Sequence, residues 1–408
     1  IRLYPNQEAE AYFRRAAGVA RFAWNWALAR WNEKYKAGEK GMSGYSLVKE
    51  FNALKGADFP WTSEVTKWAP QKSIQNLGDA FGKFFKKLSK YPKFKKKGVS
   101  KDSFYLGIND FTIEDNYLRV PKLGWIRMAQ ELRFTGTPKF VTISKEADGW
   151  YAAISVILDE TQWTYPHRCE TQTAIGIDLG ITSTITLSDG IKLNYPRSLE
   201  RLYRKIRGAQ RSLSRKMKGS HNREKAKTHL ARLWLRVKRI RHNWTHWVTA
   251  RLVRSYGLIG MEDLHIKGMM KLRSLARKIG ETCWGEIGRQ LSYKTELAGG
   301  HLILADRFFP SSKRCSDCHH VLKELSLSMR SWSCPACEAE HDRDVNAAEN
   351  IKQVAQRYWE TLTKTACGED VSPLFTEEPV RATRRTGAAS MKQESGTTKK
   401  RLTNLVAV

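Results

Sequence analysis

The chain has 408 residues, room for two or three domains that each bury a core, and its 71 Lys and Arg against 41 Asp and Glu leave a formal charge of +30, which calls for a polyanionic partner. With 41% hydrophobic residues and 14 tryptophans it is not a low-complexity disordered chain, and no apolar run approaches the ~18 residues of a bilayer span. Nothing at the start resembles a signal peptide, and seven cysteines, an odd number, suit a reducing compartment better than a disulfide framework, so a cytoplasmic protein with no membrane partner is expected.

Asn6, after Pro5, can cap a helix whose apolar residues Phe13, Ala16, Ala20, Trp24, Ala27, Leu28 and Trp31 recur at three- and four-residue steps. A second such helix runs through Ile74, Leu77, Phe81, Phe84, Phe85 and Leu88, which makes residues from about 5 to 95 a helical module with Gly38, Gly41 and Gly44 in its loops. From about 102 to 165, short segments divided by Pro121, Pro138 and the Asp148-Gly149 turn form a strand-rich module with a hairpin. A third module opens near Thr171 with a buried strand, Ala174 to Ile181, then a strand at Thr184 to Leu187 turning at Ser188-Asp189-Gly190. Long helices from about 197 to 254 follow, then a strand at 258–261, a helix around 284–297, a strand at 301–305 and a closing helix from about 345. The fold class expected is multidomain α/β. Residues after about 371 lose periodicity and are expected to be disordered.

Three patterns carry chemistry. Asp178 sits inside an apolar strand, where a carboxylate is costly to desolvate unless it pairs or binds a metal. Glu262 follows the apolar run Leu258-Ile259-Gly260-Met261, and Asp344 precedes the closing helix. If the three converge they offer oxygen ligands for Mg²⁺, two ions of which can serve phosphodiester displacement; a helix cap for Asp344 and a strand-end carboxylate for Glu262 are the structural alternatives. Second, Cys315-x-x-Cys318 and Cys334-x-x-Cys337, 15 residues apart, have the spacing of a closed, structural four-thiolate Zn²⁺ site, with His319, His320 and His341 as substitute ligands. Third, residues 197–241 hold 17 Lys and Arg against two Glu, and residues 83–97 hold eight Lys and no acid, so 60 residues carry +23 of the +30. Such faces, with Lys93, Lys95, Lys96, Arg204, Arg211 and Arg215 among their cations, suit nucleic-acid backbone and give affinity without sequence information.

Taken in order, Gly176-Ile177-Asp178-Leu179-Gly180, Met261-Glu262-Asp263-Leu264, the two cysteine knuckles and His341-Asp342-Arg343-Asp344-Val345-Asn346-Ala347-Ala348 resemble the TnpB family, transposon-encoded RNA-guided nucleases related to type V CRISPR effectors. The resemblance extends from Arg2-Leu3-Tyr4-Pro5 to about Ile351, through Tyr91-Pro92-Lys93-Phe94-Lys95, Val120 to Trp125, Trp284-Gly285-Glu286 and Arg289-Gln290-Leu291. It implies a β-barrel wedge domain (1–4 and 102–170), a helical recognition domain (5–101), a RuvC nuclease domain of RNase H-like fold (171–313 and 339–366), a zinc-finger insertion (314–338) and a disordered tail (367–408). It further implies catalytic Asp178, Glu262 and Asp344 holding two Mg²⁺ ions, with Asp342 as the alternative third acid. One structural Zn²⁺, a guide RNA and a double-stranded DNA target complete the set, the protein acting as a monomer with its RNA near the nucleoid of a prokaryotic cell. Lys67, Trp68 and Gln71 match contacts to the motif beside the target, with Trp68 as core and the other two as plain surface the alternative. The glycine usual after each knuckle is replaced by His319 and Glu338. The competing functions are a guided DNA-binding repressor without cleavage, against which the three acids argue, and a DDE-type transposase, against which the knuckles between the second and third acids argue.

Overall fold

The computed structural model describes residues 1–39, 41–158, 173–326, 328–366, 381–382 and 405–407. Most of the tail beyond residue 366 therefore lies outside the described residues. The chain divides into two compact units, residues 1–163 with 396–408, and residues 164–395.

Unit 1 begins with strand β1 (Arg2–Tyr4) and the 30-residue helix α1 (Gln7–Lys36). Asn6 caps α1 as expected, its side chain accepting from the Ala9 N–H at 2.8 Å. Helix α2 (Gly44–Leu54) departs from the expected loop: Gly44 is its first residue, and Ser43 and Ser46 close a capping box ahead of it. Its apolar pattern is short, with Leu47 and Phe51 its two fully buried large side chains. Helix α3 (Trp68–Phe85) stops before the expected Leu88, because Lys87 takes a left-handed φ of 56° that breaks the helix. Strands β2 (Ser103–Leu106), β3 (Thr112–Glu114), β4 (Tyr117–Val120), β5 (Gly124–Met128), β6 (Gly136–Glu146) and β7 (Gly149–Leu158) follow. They form one sheet in the order β2-β6-β7-β1-β5-β4-β3, with β1 antiparallel to both β5 and β7. No ladder joins β2 to β3 among the described residues, so the sheet is an open half-barrel. Its apolar face closes on the first half of α1: Phe13, Ala16, Ala17 and Ala20 share one core with Leu106, Met128, Ile143 and Trp150. The second half, through Ala23, Ala27, Leu28 and Trp31, belongs to another core with Leu47, Phe51, Ile74, Leu77 and Phe81.

Unit 2 is built on strands β8 (Ala174–Asp178), β9 (Ile185–Leu187) and β10 (Lys192–Leu193), helices α4 (Ser198–Ser214) and α5 (His221–Ser255), and strand β11 (Leu258–Glu262). Helices α6 (Ile266–Met269), α7 (Arg273–Thr282) and α8 (Trp284–Ala298) and strand β12 (His301–Ala305) follow, then β13 (Ser331–Ser333), β14 (Glu340–Asp342) and α9 (Arg343–Ala366). The main sheet runs β10-β9-β8-β11-β12, extended by β15 (Arg381–Ala382), while β16 (Leu405–Ala407) pairs with β7 in unit 1. β8, β11 and β12 are parallel and in register, Gly176 opposite Gly260 and Gly260 opposite Ile303. These strands read as continuous apolar runs because helices cover them, α8 being packed beside β12 and α9 beside β8, β11 and β12.

Candidate functional site

Two glycines decide where α9 lies. A Cβ on Gly176 would fall 1.8 Å from the Ala348 carbonyl oxygen, and one on Gly260 2.8 Å from that of Ile351, so the helix backbone rests directly on bare strand. Ala347 and Ala348 are fully buried at this contact. Side chains two apart on a strand share a face, so Asp178 and Glu262, each two residues beyond its glycine and last in its strand, project on the side where α9 begins. Asp344 is the second residue of α9. The result is three carboxylates at one end of the layer.

Their electrostatics show the convergence. Burial, then the charges of Glu262 and Asp344, push the Asp178 carboxyl well above the usual carboxylate range, against a smaller downward pull from Arg343. Burial also raises Glu262, while Ser311, whose Oγ donates to Glu262 Oε1 at 2.5 Å, lowers it. Hard oxygen donors crowded enough to repel one another are a donor set a divalent cation would relieve. The acids are set wider than the cysteines: the four sulfurs all lie within 4.8 Å of one another, and the three carboxylates do not come together that closely. Asp342 is otherwise engaged: Oδ1 accepts from the N–H groups of Asp344 and Val345 at 3.1 Å each, capping α9, and Oδ2 takes Lys192 Nζ at 2.8 Å. Although its burial pulls the other way, Lys192 and those N–H groups hold Asp342 below the usual range.

Several site residues gave no signal on their own. Ser311 is one; its carbonyl is held by Asn350 at 2.9 Å and Asn346 at 3.3 Å, two buried amides one turn apart on α9. Arg330 is another, reaching Asp344 at 3.6 Å and the Thr182 hydroxyl at 3.3 Å. The Asn-x-x-x-Asn spacing on the buried face of α9 is the only sequence trace of the first arrangement.

The four cysteines come together between β12 and α9. Cys315 and Cys337 sulfurs are 3.6 Å apart and those of Cys318 and Cys334 3.5 Å, too far for disulfides and close to the about 3.8 Å edge of a tetrahedron with Zn–S bonds near 2.3 Å. The two knuckles are built alike: His319 N–H donates to Cys315 O at 3.1 Å, and Glu338 N–H to Cys334 O at 2.8 Å. Both residues adopt the left-handed backbone, φ 67° and 64°, so the turn that glycine would favour is kept without it. His341 Nε2 lies 3.1 Å from Cys315 Sγ, beside one sulfur, while His319 and His320 are exposed.

Among the described residues, ligand atoms of His242, His246 and Glu286 also gather within 4.8 Å. The Glu286 carboxylate is already taken by Arg289 at 2.7 and 2.8 Å and by Gln290 at 2.9 Å, and Lys294 stands beside His246. Those cations oppose a divalent ion there.

The cationic faces are exposed. Arg204, Arg211 and Arg215 project from α4 and its C-terminal end, the last two lining a hollow with Gly208, Ser212 and Lys216. Lys93 and Lys96 are exposed, whereas Lys95 is half-buried with Nζ 4.0 Å from the Trp24 ring centre. Lys67, Trp68 and Gln71 sit together at the start of α3. Trp68 packs its ring on Gly107 and edge-on to Tyr105, while Lys67 reaches Asp110 at 3.6 Å with its side chain 62% exposed.

Three family models match the chain: a transposase family, OrfB_IS605, described as "Probable transposase", over residues 153–273, a Cas12f1-like TNB domain over 284–351 and a helix-turn-helix domain over 1–40. The described residues of that last stretch fold as β1 and the unbroken α1. A Streptomyces pristinaespiralis protein named as a candidate RNA-guided DNA endonuclease is 35% identical over 96% of this chain and 94% of its own length. The Escherichia coli K12 protein InsQ, named likewise, is 31% identical over 94% of this chain and 98% of its own. A cryo-EM structure of a Cas12f1-sgRNA-target DNA complex contains a chain of similar fold, with a TM-score of 0.51 at 15% identity, covering 85% of this chain and 83% of that one.

Proposed function

The chain belongs to the TnpB family of RNA-guided DNA endonucleases, related to Cas12f, and from that membership we propose how its residues carry the activity. It is an enzyme that cuts DNA as a guide RNA directs, and its partners are that RNA and the target DNA. We read the α/β layer of unit 2 as a RuvC domain of RNase H-like fold, the four-cysteine module as its zinc-finger insertion, the unit 1 sheet as the wedge domain and α1 to α3 as the recognition domain.

The observation that carries the catalytic reading is the convergence of Asp178, Glu262 and Asp344, with the first pushed up by burial and then by the charges of the other two. Two Mg²⁺ ions held by these carboxylates would supply the activated water and the charge neutralisation that phosphodiester hydrolysis needs. The chain's own groups prepare the cradle. Ser311 fixes one Glu262 oxygen and favours its anion, Asn346 and Asn350 hold the Ser311 backbone, and Asp342 anchors the first turn of α9 so that Asp344 is presented at a fixed place. Arg330 lies over Asp344 from the cysteine module, so a Zn²⁺ held by Cys315, Cys318, Cys334 and Cys337 would position that arginine as well as fold the module. Base pairing with the guide supplies sequence choice, and Arg204, Arg211, Arg215, Lys93 and Lys96 contact backbone phosphates. Exposed Lys67 and neighbouring Gln71 read the motif beside the target, with Trp68 as their packed support.

The test is cleavage by the purified complex with a guide matching a chosen DNA. Ala at 178, 262 or 344 is expected to abolish cutting while leaving target binding within a few-fold, and a new guide segment is expected to redirect it. Cutting that survives Asp344→Ala but not Asp342→Ala would move the third role to Asp342, and site-specific cutting by RNA-free protein would refute the guided reading.

A further inference from the structure

The loop after β12 is fastened at two points to the end of β11, which carries Glu262. Arg307 donates to Asp263, the residue after Glu262, from Nη2 to Oδ2 at 2.7 Å and from Nε to the carbonyl oxygen at 3.2 Å. Four residues later Ser311 donates to Glu262 itself. Within the loop, the Phe308 N–H is held by Asp306 Oδ1 at 2.8 Å, and the Phe309 N–H by the Asp306 carbonyl at 3.1 Å. Phe309 turns inward against Ile351 and Val354. Phe308 turns outward and is 88% exposed, the highest value for any large apolar side chain among the described residues.

Leaving a phenylalanine in water forgoes the stabilisation of burying its ring, and a loop tied down at both ends does not leave it out through slack. On its N-terminal side stand two charged residues, Asp306 and the half-exposed Arg307, and on the other the inward-turned Phe309 and then Pro310. A protein partner would need a contiguous apolar patch, whereas one flat ring among charged groups suits a nucleobase, whose π-face stacks on an aromatic side chain irrespective of sequence. We propose that Phe308 is a stacking platform for one base of the DNA strand being cut, holding the scissile phosphate at the three carboxylates. The proposal rests on the nuclease reading of that site.

The experiment uses the full chain with its guide RNA and compares wild type, Phe308→Ala and Phe308→Trp in single-turnover cleavage and in equilibrium binding of the same DNA. Because stacking on an aromatic is worth about 1–3 kcal/mol per base, Phe308→Ala should cut on the order of 5- to 150-fold more slowly, with binding within about twofold, and Phe308→Trp should restore the rate. An abasic nucleotide is then moved along the cut strand around the scissile bond. One position should slow wild type by a similar factor and slow Phe308→Ala no further, the signature of one ring on one base. If wild type cuts and Phe308→Ala matches it, or if the two losses multiply at every position, the proposal is overturned and the nuclease reading stands. If wild type cuts nothing, both fall.

Discussion

Gly176 has an ordinary extended backbone and is required for space alone. Gly176→Ala sets a methyl group against the Ala348 carbonyl, backbone on both sides, and should cost at least about 3 kcal/mol, read as a fall in Tm of several degrees and lost cleavage. Gly208 lies inside α4 with open space for at least 4 Å around the point a Cβ would occupy, so Gly208→Ala should instead raise stability by about 1 kcal/mol. The knuckle residues pose the opposite problem, conformation without crowding. His319→Gly and Glu338→Gly each release a left-handed backbone and should make the module up to about 1 kcal/mol harder to unfold with a chelator, checked by far-UV circular dichroism. Asp178 stood out in the sequence because nothing bland explains an acid inside Ala-Ile-Gly-Ile, and the gathering of the four cysteines could be expected from their spacing. Ser311 and Arg330 were not, since a loop serine or arginine acquires its partner only when the chain returns to Glu262 or Asp344.

At the scale of elements, α5 and α8 meet through a chain of polar groups: Thr249 donates to Gln290, Gln290 to Glu286, and Lys294 to Thr249 and to the His246 carbonyl. Burial, then Lys294 and His242, pull His246 down to about 4, with Arg289 acting in the same sense and Glu286 against it. The unfolded chain, with an ordinary imidazole near 6.5, therefore takes up a proton that the folded one refuses until about pH 4. Stability from this group is complete above about 6.5 and is lost as pH falls through that window. Thermal melts from pH 7 to 4 should show a steeper decline for wild type than for His246→Gln. The order of the longer strands and helices in this unit was readable from apolar runs and periodicity, as was the strand-rich character of residues 102–158, whereas the short β10, α6, α7, β13 and β14 were not. The open edge of that sheet was not, because closure depends on register between distant strands. Helix α2 is hard to read because eleven residues with two large buried side chains carry too little periodicity.

For the whole molecule, the charge of +30 acts as a field to be neutralised, and most of it comes from two stretches of sequence. Binding of the guide RNA should weaken steeply with salt. Replacing Arg204, Arg211 and Arg215 by Ala should lower the slope of log affinity against log salt by roughly 2 to 3, equally for RNAs of different sequence, in filter-binding titrations. Helix α1 has a different consequence. One unbroken rod, about 45 Å long at 1.5 Å per residue, supplies the sheet core up to Ala20 and the helical core from Ala23. A single residue inserted between them would turn one set of side chains by about 100° relative to the other, and only insertions near whole turns, about seven or eleven residues, would bring them back into phase. Inheritance of this segment should thus be constrained in length more tightly than in composition: alanine should give way to other small residues along it, while gains and losses of chain should collect beyond the end of α1 at Lys36 and at 86–102 rather than within the rod.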